Sequence, residues 1–282
     1  SRPGGSAFNA LVSLARAGHE VHMISEVGTD QVGEQIVSFL QENGVSTEWL
    51  YRFESGKTPV ALAFLDANNN ASYQVYKDFP DLRLHTDGPE FAAGDVLLFG
   101  SFFAVNPALR SRVSQLLRKA RSQGAYIIYD PNFRKHHAEG IEEYRPIIED
   151  NFSYAHLVRG SDEDFENIYP GMSMDKVLDK IGSFGAQAML TVNARGVYCR
   201  VEGHRFHAPA RSITPVSTIG AGDNFNAGLI HGMTQIPHLN GSLDVWNRIV
   251  SVGIAFSTEV CLSFDNYISQ EFVSDKLMSI VR

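Results

Sequence analysis

The sequence has little of what secreted, membrane-spanning or nucleic-acid-binding proteins need. Its two cysteines, Cys199 and Cys261, form no CxxC motif and no disulfide framework, which favours a reducing, cytoplasmic setting. No apolar run approaches the roughly 18 residues of a membrane-spanning helix. The net charge of −8 leaves no basic excess for nucleic acid or for an anionic membrane. We therefore expect a globular protein that binds neither nucleic acid nor membrane.

Several familiar catalytic motifs are also missing. The tripeptide G-K-T at 56–58 looks like the end of a P-loop, but Tyr51 stands where that loop requires glycine, and a β-type run follows. No G-x-S-x-G nucleophile motif occurs. The histidines at 136–137 and at 204 and 207 lack the spacing of zinc ligands. The sequence thus favours neither a P-loop protein, nor an esterase, nor a zinc protein.

From residue 95 onward the chain alternates between β-type and helical runs. Strands are predicted at 95–99, 125–129, 154–158, 188–192 and 197–201, and helices at 107–123, 142–150, 161–169, 174–183, 243–259 and from about 269. Short connections between them predict a mostly parallel sheet with helices on both faces. Ligands bind beyond the carboxyl ends of such strands. Asp130, Ser161, Asn193 and Ser217 each follow a predicted strand, so we expect them at one edge of the sheet.

The most informative stretch is S-T-I-G-A-G-D-N-F-N-A-G at 217–228. Gly220, Ala221 and Gly222 let backbone N–H groups approach an anion closely, and the helix that follows adds its positive dipole end. Asp223 would repel a bound phosphate, yet it could take a proton from a hydroxyl that attacks one. Two interpretations stay open here, namely phosphoryl transfer to an alcohol or an ordinary N-cap.

Two further groups of polar residues are candidates for ligand binding, one after a pair of glycines and one at the end of a predicted strand. Asn9 lies one helical turn after Gly4 and Gly5, and its amide suits sugar hydroxyls, although a solvated asparagine beside a cap fits equally. Asp130, Asn132 and Arg134 alternate at a strand exit. They could bind a metal-phosphate or a substrate anion, or Asp130 and Arg134 could form a structural pair.

The stretch Ser161-Asp-Glu-Asp164 is an acidic helix start. Capping of the helix dipole explains it fully. The alternative is water-mediated binding of Mg²⁺, which prefers one or two carboxylates and keeps its waters. The residues alone do not decide between these two roles.

Together the motifs resemble those of the ribokinase-like (PfkB) carbohydrate kinases. The resemblance rests on Gly4-Gly5-x-x-x-Asn9, on Gly28-x-Asp30-x-x-Gly33 and on Gly220-Ala221-Gly222-Asp223, and it covers essentially the whole chain. It implies one ribokinase-like domain over 1–282, a three-layer α/β/α fold with a mostly parallel sheet and a small β lid. It also implies ATP-dependent transfer of the γ-phosphoryl group to a sugar hydroxyl, with Mg²⁺.

The resemblance assigns roles to individual residues of this sequence. Asp223 would be the general base, and Gly220, Ala221 and Gly222 would form the anion hole. The implied substrate-binding residues are Gly4, Gly5, Asn9 and Arg134. The implied nucleotide-binding residues are Asn132, Ser161, Thr191, Asn193, Gly196 and Asn226, and the implied metal ligand is Asp164.

Three departures from the family pattern are visible. Ser217 stands where the family usually has Asp, which leaves a monovalent-cation site open. Ser161-x-x-Asp164 replaces N-x-x-E, so a shorter acid would contact the metal weakly or through water. The leading strand of the fold, which in the family ends in a substrate-binding Asp, is expected to be missing from this sequence.

A β-hairpin predicted at about 58–77, with its turn at Asn68-Asn69-Asn70, lies outside the strand–helix alternation. We interpret it as a lid that excludes water during phosphoryl transfer. Because a lid hairpin leaves exposed edges, we also expect a homodimer through it.

Tyr73 and Lys77 resemble the lids of fructokinases, so fructose is the first expected substrate. Ribose and 2-keto-3-deoxygluconate stay open, since Lys77 or Arg134 could hold a carboxylate. A non-catalytic sugar sensor on the same fold is the alternative of another class, and the presence of Asp223 counts against it.

Overall fold

The computed structural model describes residues 3–65, 71–235, 241–277 and 280. The helices are α1 Ser6–Arg16, α2 Gln31–Glu42, α3 Ser101–Val105, α4 Arg110–Ser122, α5 Ile141–Tyr154, α6 Asp162–Ile168, α7 Met174–Gly182, α8 Ala221–Gln235, α9 Leu243–Cys261 and α10 Gln270–Asp275. The strands are β1 Val21–His22, β2 Ser25–Gly28, β3 Val45–Ser46, β4 Leu50–Phe53, β5 Lys57–Leu65, β6 Ala71–Asp78, β7 Val96–Gly100, β8 Tyr126–Asp130, β9 Leu157–Ser161, β10 Gln187–Thr191, β11 Val197–Val201 and β12 His204–Ala208.

The chain divides into two compact units. The smaller unit contains Ser1–Pro3 and Glu20–Pro89, and the larger unit contains Gly4–His19 and Glu90–Arg282. Within the described residues no helix is long and apolar enough to cross a membrane.

The larger unit is built on a sheet whose described strands follow the order β12-β11-β10-β9-β8-β7. Strands β7 to β10 run parallel, as the strand–helix alternation predicts, because each returns to the same edge after a helix. β11 and β12 continue the sheet in antiparallel fashion. The sequence pattern misses β12 because His204–Ala208 is mostly exposed and carries little apolar signal.

The core of the larger unit places α5 and α7 against the sheet. Ile148 and Phe152 of α5 and Ile181 of α7 are fully buried, and they belong to one apolar cluster with Val158 and Leu190 of the strands. Pro146 lies inside α5 without ending it. This packing holds the carboxyl ends of β8, β9 and β10 at fixed positions.

Helix α8 packs closely on α9. A Cβ atom placed on Gly228 would lie only 2.7 Å from Cα of Gly253, so the two backbones approach where neither residue has a side chain. Helix α8 also contacts α1 in the same unit. The N-terminus of α8 therefore has rigid support from two helices.

In the smaller unit the G-x-D-x-x-G motif ties α2 to β5. Asp30 caps α2 by accepting from Gly33 N at 2.8 Å, and it also accepts from Thr58 N at 2.9 Å and from Thr58 Oγ1 at 2.7 Å. Gly28 N donates to Thr58 Oγ1 at 2.9 Å. A Cβ on Gly33 would lie 2.0 Å from Gly28 O, which explains the glycine. The G-K-T tripeptide thus opens a strand and does not form a P-loop.

The predicted hairpin is present as the antiparallel pair of β5 and β6, with Val60 opposite Tyr76 and Leu62 opposite Gln74. Its predicted turn at 68–70 lies outside the described residues. β1 pairs with β3 and β2 with β4, both in parallel.

The strand predicted at 154–158 occurs three residues later, as β9, because α5 continues to Tyr154.

The start of one helix and the setting of Ser217 also differ from the predictions. The helix expected from Pro107 begins at Arg110, because Asn106 accepts from Ala108 N at 3.0 Å and holds a turn after the short helix α3. Ser217 does not follow a strand, since no strand or helix occurs in the described segment 209–220. Its hydroxyl instead accepts from Ile219 N at 3.2 Å, as in a polar turn.

Candidate active site

Asp223 is the third residue of α8. The first helical hydrogen bond runs from Asn224 N to Gly220 O at 2.9 Å, so Asp223 lies inside the first turn and the N-cap interpretation is wrong. Gly220 has a φ of 82°, and a Cβ there would lie 2.9 Å from Asn266 O. Glycine is therefore required before the helix. Of the N–H groups expected to form the anion hole, that of Ala221 donates to Thr218 O at 3.2 Å and is already engaged in the turn before α8.

Asn9 contacts the carboxylate directly. It is the fourth residue of α1, where its N–H donates to Gly5 O at 2.9 Å, and its Nδ2 donates to Asp223 Oδ2 at 2.8 Å. Within the described part of the chain its buried Oδ1 has no hydrogen-bond partner. Gly4 lies next to that oxygen, since a Cβ on Gly4 would be 3.8 Å away. The structure thus brings Gly4, Gly5 and Asn9 together with Asp223.

Burial raises the pKa of Asp223 to about 7. The hydrogen bond from Asn9 lowers this pKa, the negative charge of Asp130 raises it, and the positive charges of Arg159 and Arg134 lower it. A carboxyl with a pKa near neutrality is partly ionised at physiological pH and is also basic enough to accept a proton. Asp223 has the electrostatic properties expected of a general base.

Asp130 forms the centre of a buried polar network at the end of β8. Its Oδ2 accepts from Arg159 Nη1 at 2.9 Å and from Asn226 Nδ2 at 2.6 Å, and its Oδ1 accepts from Asn132 N at 3.0 Å. The alternative of a structural Asp130–Arg134 pair is wrong, because Arg159 occupies that role. Arg134 is exposed, and its charge acts on Asp223.

Arg159 is the residue that sequence reasoning missed. It lies in β9 with 5% of its surface exposed, and its Nη2 donates to Thr191 Oγ1 at 2.6 Å. A Cβ on Gly222 would lie 2.8 Å from Nη1 of Arg159. The available signal was a charged residue inside the otherwise buried run L-V-R-G-S. Arg159 and Asp130 together link Thr191 and Asn226 in one hydrogen-bond network, and Gly222 lies against the guanidinium.

Ser161 and Asp164 form a complete capping box at the start of α6. Asp164 Oδ2 accepts from Ser161 N at 2.8 Å and from Ser161 Oγ at 2.7 Å. The capping role is therefore confirmed. Asp164 Oδ1 is buried and has no partner among the described residues.

The fit of Mg²⁺ to these carboxylates depends on how that ion is usually held. The described residues contain no group of three or more His, Cys, Asp or Glu that could hold a metal. Mg²⁺ needs only one or two carboxylates, because waters and substrate phosphates supply the rest. The unpartnered oxygen of Asp164 fits that limited role.

Asn193 and Gly196 belong to the turn between β10 and β11. Gly196 has a φ of 90°, and a Cβ there would lie 2.1 Å from Ala208 O, so it is required for the turn. Asn193 is exposed and lines a cleft of about 450 Å³ with residues that include Phe165, Leu190 and Arg195. Asn193 and Gly196 lie beyond the end of β10, at the edge of the sheet that also carries Asp130 and Ser161.

The comparisons with known proteins identify the family. Residues 1–249 match the model of the pfkB family carbohydrate kinases, so the chain belongs to that family. It is a carbohydrate kinase with a ribokinase-like α/β fold, as the sequence motifs indicated.

The individual proteins to which this chain is similar share between 22% and 28% sequence identity with it. The fructokinase of Vibrio alginolyticus is 28% identical over 231 residues, which cover 81% of this chain and 75% of that protein. The 2-dehydro-3-deoxygluconokinase of Haemophilus influenzae is 22% identical over 274 residues, covering 89% and 85%. Aminoimidazole riboside kinase from Salmonella enterica, complexed with aminoimidazole riboside and an ATP analogue, superposes with a TM-score of 0.84 at 22% identity, covering 99% of this chain and 92% of that one.

Proposed function

We propose that this carbohydrate kinase transfers the γ-phosphoryl group of ATP to a hydroxyl of fructose, with Asp223 as general base. The contact between Asn9 and Asp223 is the observation that carries the proposal. It holds a carboxyl whose pKa is near 7 at the N-terminus of a helix, where anions bind favourably. The similarity to a fructokinase supports the sugar, and the structural neighbour with an ATP analogue supports the donor.

In the proposed mechanism, Asp223 takes the proton of the sugar hydroxyl as that oxygen bonds to the γ-phosphorus. The bond between the γ-phosphorus and its bridging oxygen breaks, and ADP leaves. The N–H groups of Gly220 and Gly222, with the dipole of α8, stabilise the negative charge on the transferred group. The N–H of Ala221 donates to Thr218 O at 3.2 Å, so Ala221 shapes the turn and does not supply a free donor. A positioned base of this kind contributes about 10²- to 10⁴-fold to the rate.

Asn9, Gly4 and Gly5 are proposed to hold the sugar. A sugar hydroxyl that donates to Asn9 Oδ1 would satisfy a buried acceptor that has no partner among the described residues. Gly4 leaves space beside that oxygen, since a Cβ there would lie 3.8 Å from it. Gly5 accepts from the N–H of Asn9 and so fixes its backbone. Asn9 would then bind the sugar through one amide atom and orient the base through the other.

The nucleotide is proposed to contact residues at the carboxyl edge of the sheet and at the start of α8. These residues are Asn132, Ser161, Thr191, Asn193, Gly196 and Asn226. Asp164 would hold Mg²⁺ directly or through water. When bound, Mg²⁺ would neutralise charge on the phosphate oxygens.

A carboxylated sugar such as 2-keto-3-deoxygluconate is the second candidate substrate. Arg134 is exposed and its charge acts on Asp223, so a cation is available to an anionic acceptor. The relatedness to a 2-dehydro-3-deoxygluconokinase favours this candidate as well. Ribose remains the third choice.

The test is release of ADP from Mg·ATP on a panel of fructose, ribose, 2-keto-3-deoxygluconate and glucose. We expect the highest kcat/KM with fructose, and mass spectrometry should find one added phosphate on the sugar. The Asp223→Asn variant serves as the control for contaminating kinases. Sugar binding by calorimetry without ADP release from any sugar would instead indicate a sugar sensor.

We also propose that the β5–β6 pair mediates homodimer formation. Val60, Leu62, Val75 and Tyr76 expose between 36% and 54% of their surface on this pair. Exposed apolar side chains on a strand pair favour association with a second copy. Sedimentation at tens of micromolar should show a dimer, which Leu62→Lys should convert to a monomer.

A further inference from the structure

The buried guanidinium of Arg159 forms an ion pair with Asp130 and, in addition, a hydrogen bond to Thr191. One arm of its guanidinium donates to Asp130 Oδ2 at 2.9 Å, and the other donates to Thr191 Oγ1 at 2.6 Å. These contacts connect the carboxyl ends of β8, β9 and β10. Only 6% of either side chain of the Arg159–Asp130 pair is exposed, so water does not screen the charges strongly.

The fixed guanidinium lies against the first turn of α8. A Cβ on Gly222 would lie 2.8 Å from Nη1 and 2.9 Å from Nη2 of Arg159. Any side chain at 222 would therefore displace either Arg159 or the turn. The ring of Phe225, one helical turn later, lies 5.6 Å from Cζ of Arg159. Arg159 thus supports the same turn that carries Asp223.

We propose that Arg159 is a positioning residue for phosphoryl transfer, which seats the first turn of α8 and supplies positive charge close to Asp223. This inference rests on the proposed role of Asp223 as the base. Arg159 touches neither the sugar nor the reacting oxygen in this account. It acts through Gly222 and through the electrostatic potential at the carboxyl group.

The charges that face Asp223 come from three elements. Asp130 at the end of β8 is negative, Arg159 in β9 is positive, and Arg134 in the loop after β8 is positive, while Asn9 of α1 contributes a neutral hydrogen bond. Removing the charge of Asp130 favours the ionised base. Burial raises the pKa of Asp130 and the charge of Arg159 lowers it, so Asp130 takes up a proton more readily once Arg159 is gone. The effect of Arg159 on Asp223 is therefore measured by removing Arg159 where Asp130 is already neutral, and that step disfavours the ionised base. The two steps have opposite signs, which a purely structural role would not produce.

The experiment compares the pH dependence of kcat/KM in Arg159→Met, Asp130→Asn, Arg159→Lys and the double variant of the first two. Asp130→Asn should move the acidic limb of the pH profile downward, and adding Arg159→Met to it should move the limb back upward by about 1 pH unit. Arg159→Met alone should move the limb upward by a smaller amount, because Asp130 then loses charge as well. Arg159→Lys keeps the charge, so its limb should stay close to that of wild type. The double variant should also keep its limb near wild type but lose kcat, because the turn of α8 has lost its support.

Arg83→Met is the matched control. Arg83 forms a comparably buried ion pair with Glu26, and it is absent from the charges that act on Asp223 among the described residues. The Arg83→Met variant should have a lower melting temperature, and the acidic limb of its kcat/KM profile should stay at the wild-type pH. Circular dichroism of each variant shows whether it is folded.

The proposal is overturned if the folded double variant has the same acidic limb as Asp130→Asn, because Arg159 then places no effective charge at Asp223. If the double variant does not fold, Arg159→Met decides, and a limb that moves downward would overturn the proposal. Failure of the proposed function is a separate result, since wild type would then release no ADP with any sugar.

Discussion

The side-chain amide of Asn9 donates a hydrogen bond of 2.8 Å to the carboxylate of Asp223, across 214 residues of sequence. It joins the first turn of α1 to the first turn of α8. Each helix begins after a glycine whose backbone a side chain would disturb, Gly5 with a φ of 146° and Gly220 with a φ of 82°. The two glycine motifs of the sequence therefore meet at one carboxylate.

The first prediction concerns pH. Because burial raises the pKa of Asp223 to about 7, its ionised fraction falls below that pH. The value of kcat/KM for the sugar should fall about tenfold per pH unit on the acidic side and level off above pH 7. Initial rates at saturating ATP between about pH 5 and pH 9 measure this limb. A flat profile in a protein that stays folded would speak against ionisation of Asp223 in the rate-determining step.

The second prediction concerns Asn9. Asn9→Ala removes the hydrogen bond that lowers the pKa of Asp223, so the acidic limb should move to higher pH. A hydrogen bond to a charged group is worth about 1.5–3 kcal/mol, so kcat/KM should fall roughly 10- to 100-fold near neutral pH. Asn9→Asp adds a second negative charge and should move the limb further in the same direction. A limb that stays in place in both variants would contradict the assigned contact.

The third prediction concerns stability. The folded-state pKa of Asp223 is above the ordinary value of 3.8, so folding favours the protonated form. The resulting contribution to stability is fully present below about pH 4 and is lost as pH rises through about 7. Asp223→Asn should therefore raise the melting temperature at pH 8 by roughly 4 °C or more, with a smaller gain at pH 5. A variant that melts below wild type at pH 8 would show that ionised Asp223 stabilises the fold.

The fourth prediction concerns the smaller unit. Burial alone would raise the pKa of Asp30, but hydrogen bonds from Thr58 and Gly33 outweigh it and hold that pKa below its usual value. Thr58→Val leaves Gly28 N and Asp30 without the hydroxyl and should cost about 1–3 kcal/mol of unfolding free energy. Thr58→Ser keeps the hydroxyl and is the matched control. Hydrogen exchange in β5 should accelerate in the valine variant alone, and equal exchange in both variants would exclude the hydroxyl as the cause.

Much of the fold follows from the sequence pattern. The parallel strands β7 to β10 are recognisable because short runs rich in apolar residues alternate with helical runs up to β10. Strand β12 is not recognisable, since His204–Ala208 is an exposed edge strand whose pairing with β11 depends on tertiary context. The helix expected from Pro107 is present, but it begins at Arg110 because of the turn at Asn106.

The candidate site is only partly recognisable from the sequence. The glycine motifs point to Gly4, Gly5, Asn9 and Asp223 only through the family resemblance, because each motif by itself also fits an ordinary helix start. Arg159 is hidden, because an arginine within a strand indicates no partner until the neighbouring strands place Asp130 and Thr191 beside it. The sequence also suggests an Asp130–Arg134 pair by proximity along the chain, whereas the sheet register brings Arg159 to Asp130 instead.

The most direct test of the central claim is the turnover of Asp223→Asn with fructose at saturating Mg·ATP, measured together with ATP binding by calorimetry. If Asp223 is the base, kcat should fall by about 10²- to 10⁴-fold. ATP affinity should stay within about threefold of wild type, because Asn preserves the shape of the side chain. A folded variant that keeps more than about a tenth of wild-type kcat would contradict the account.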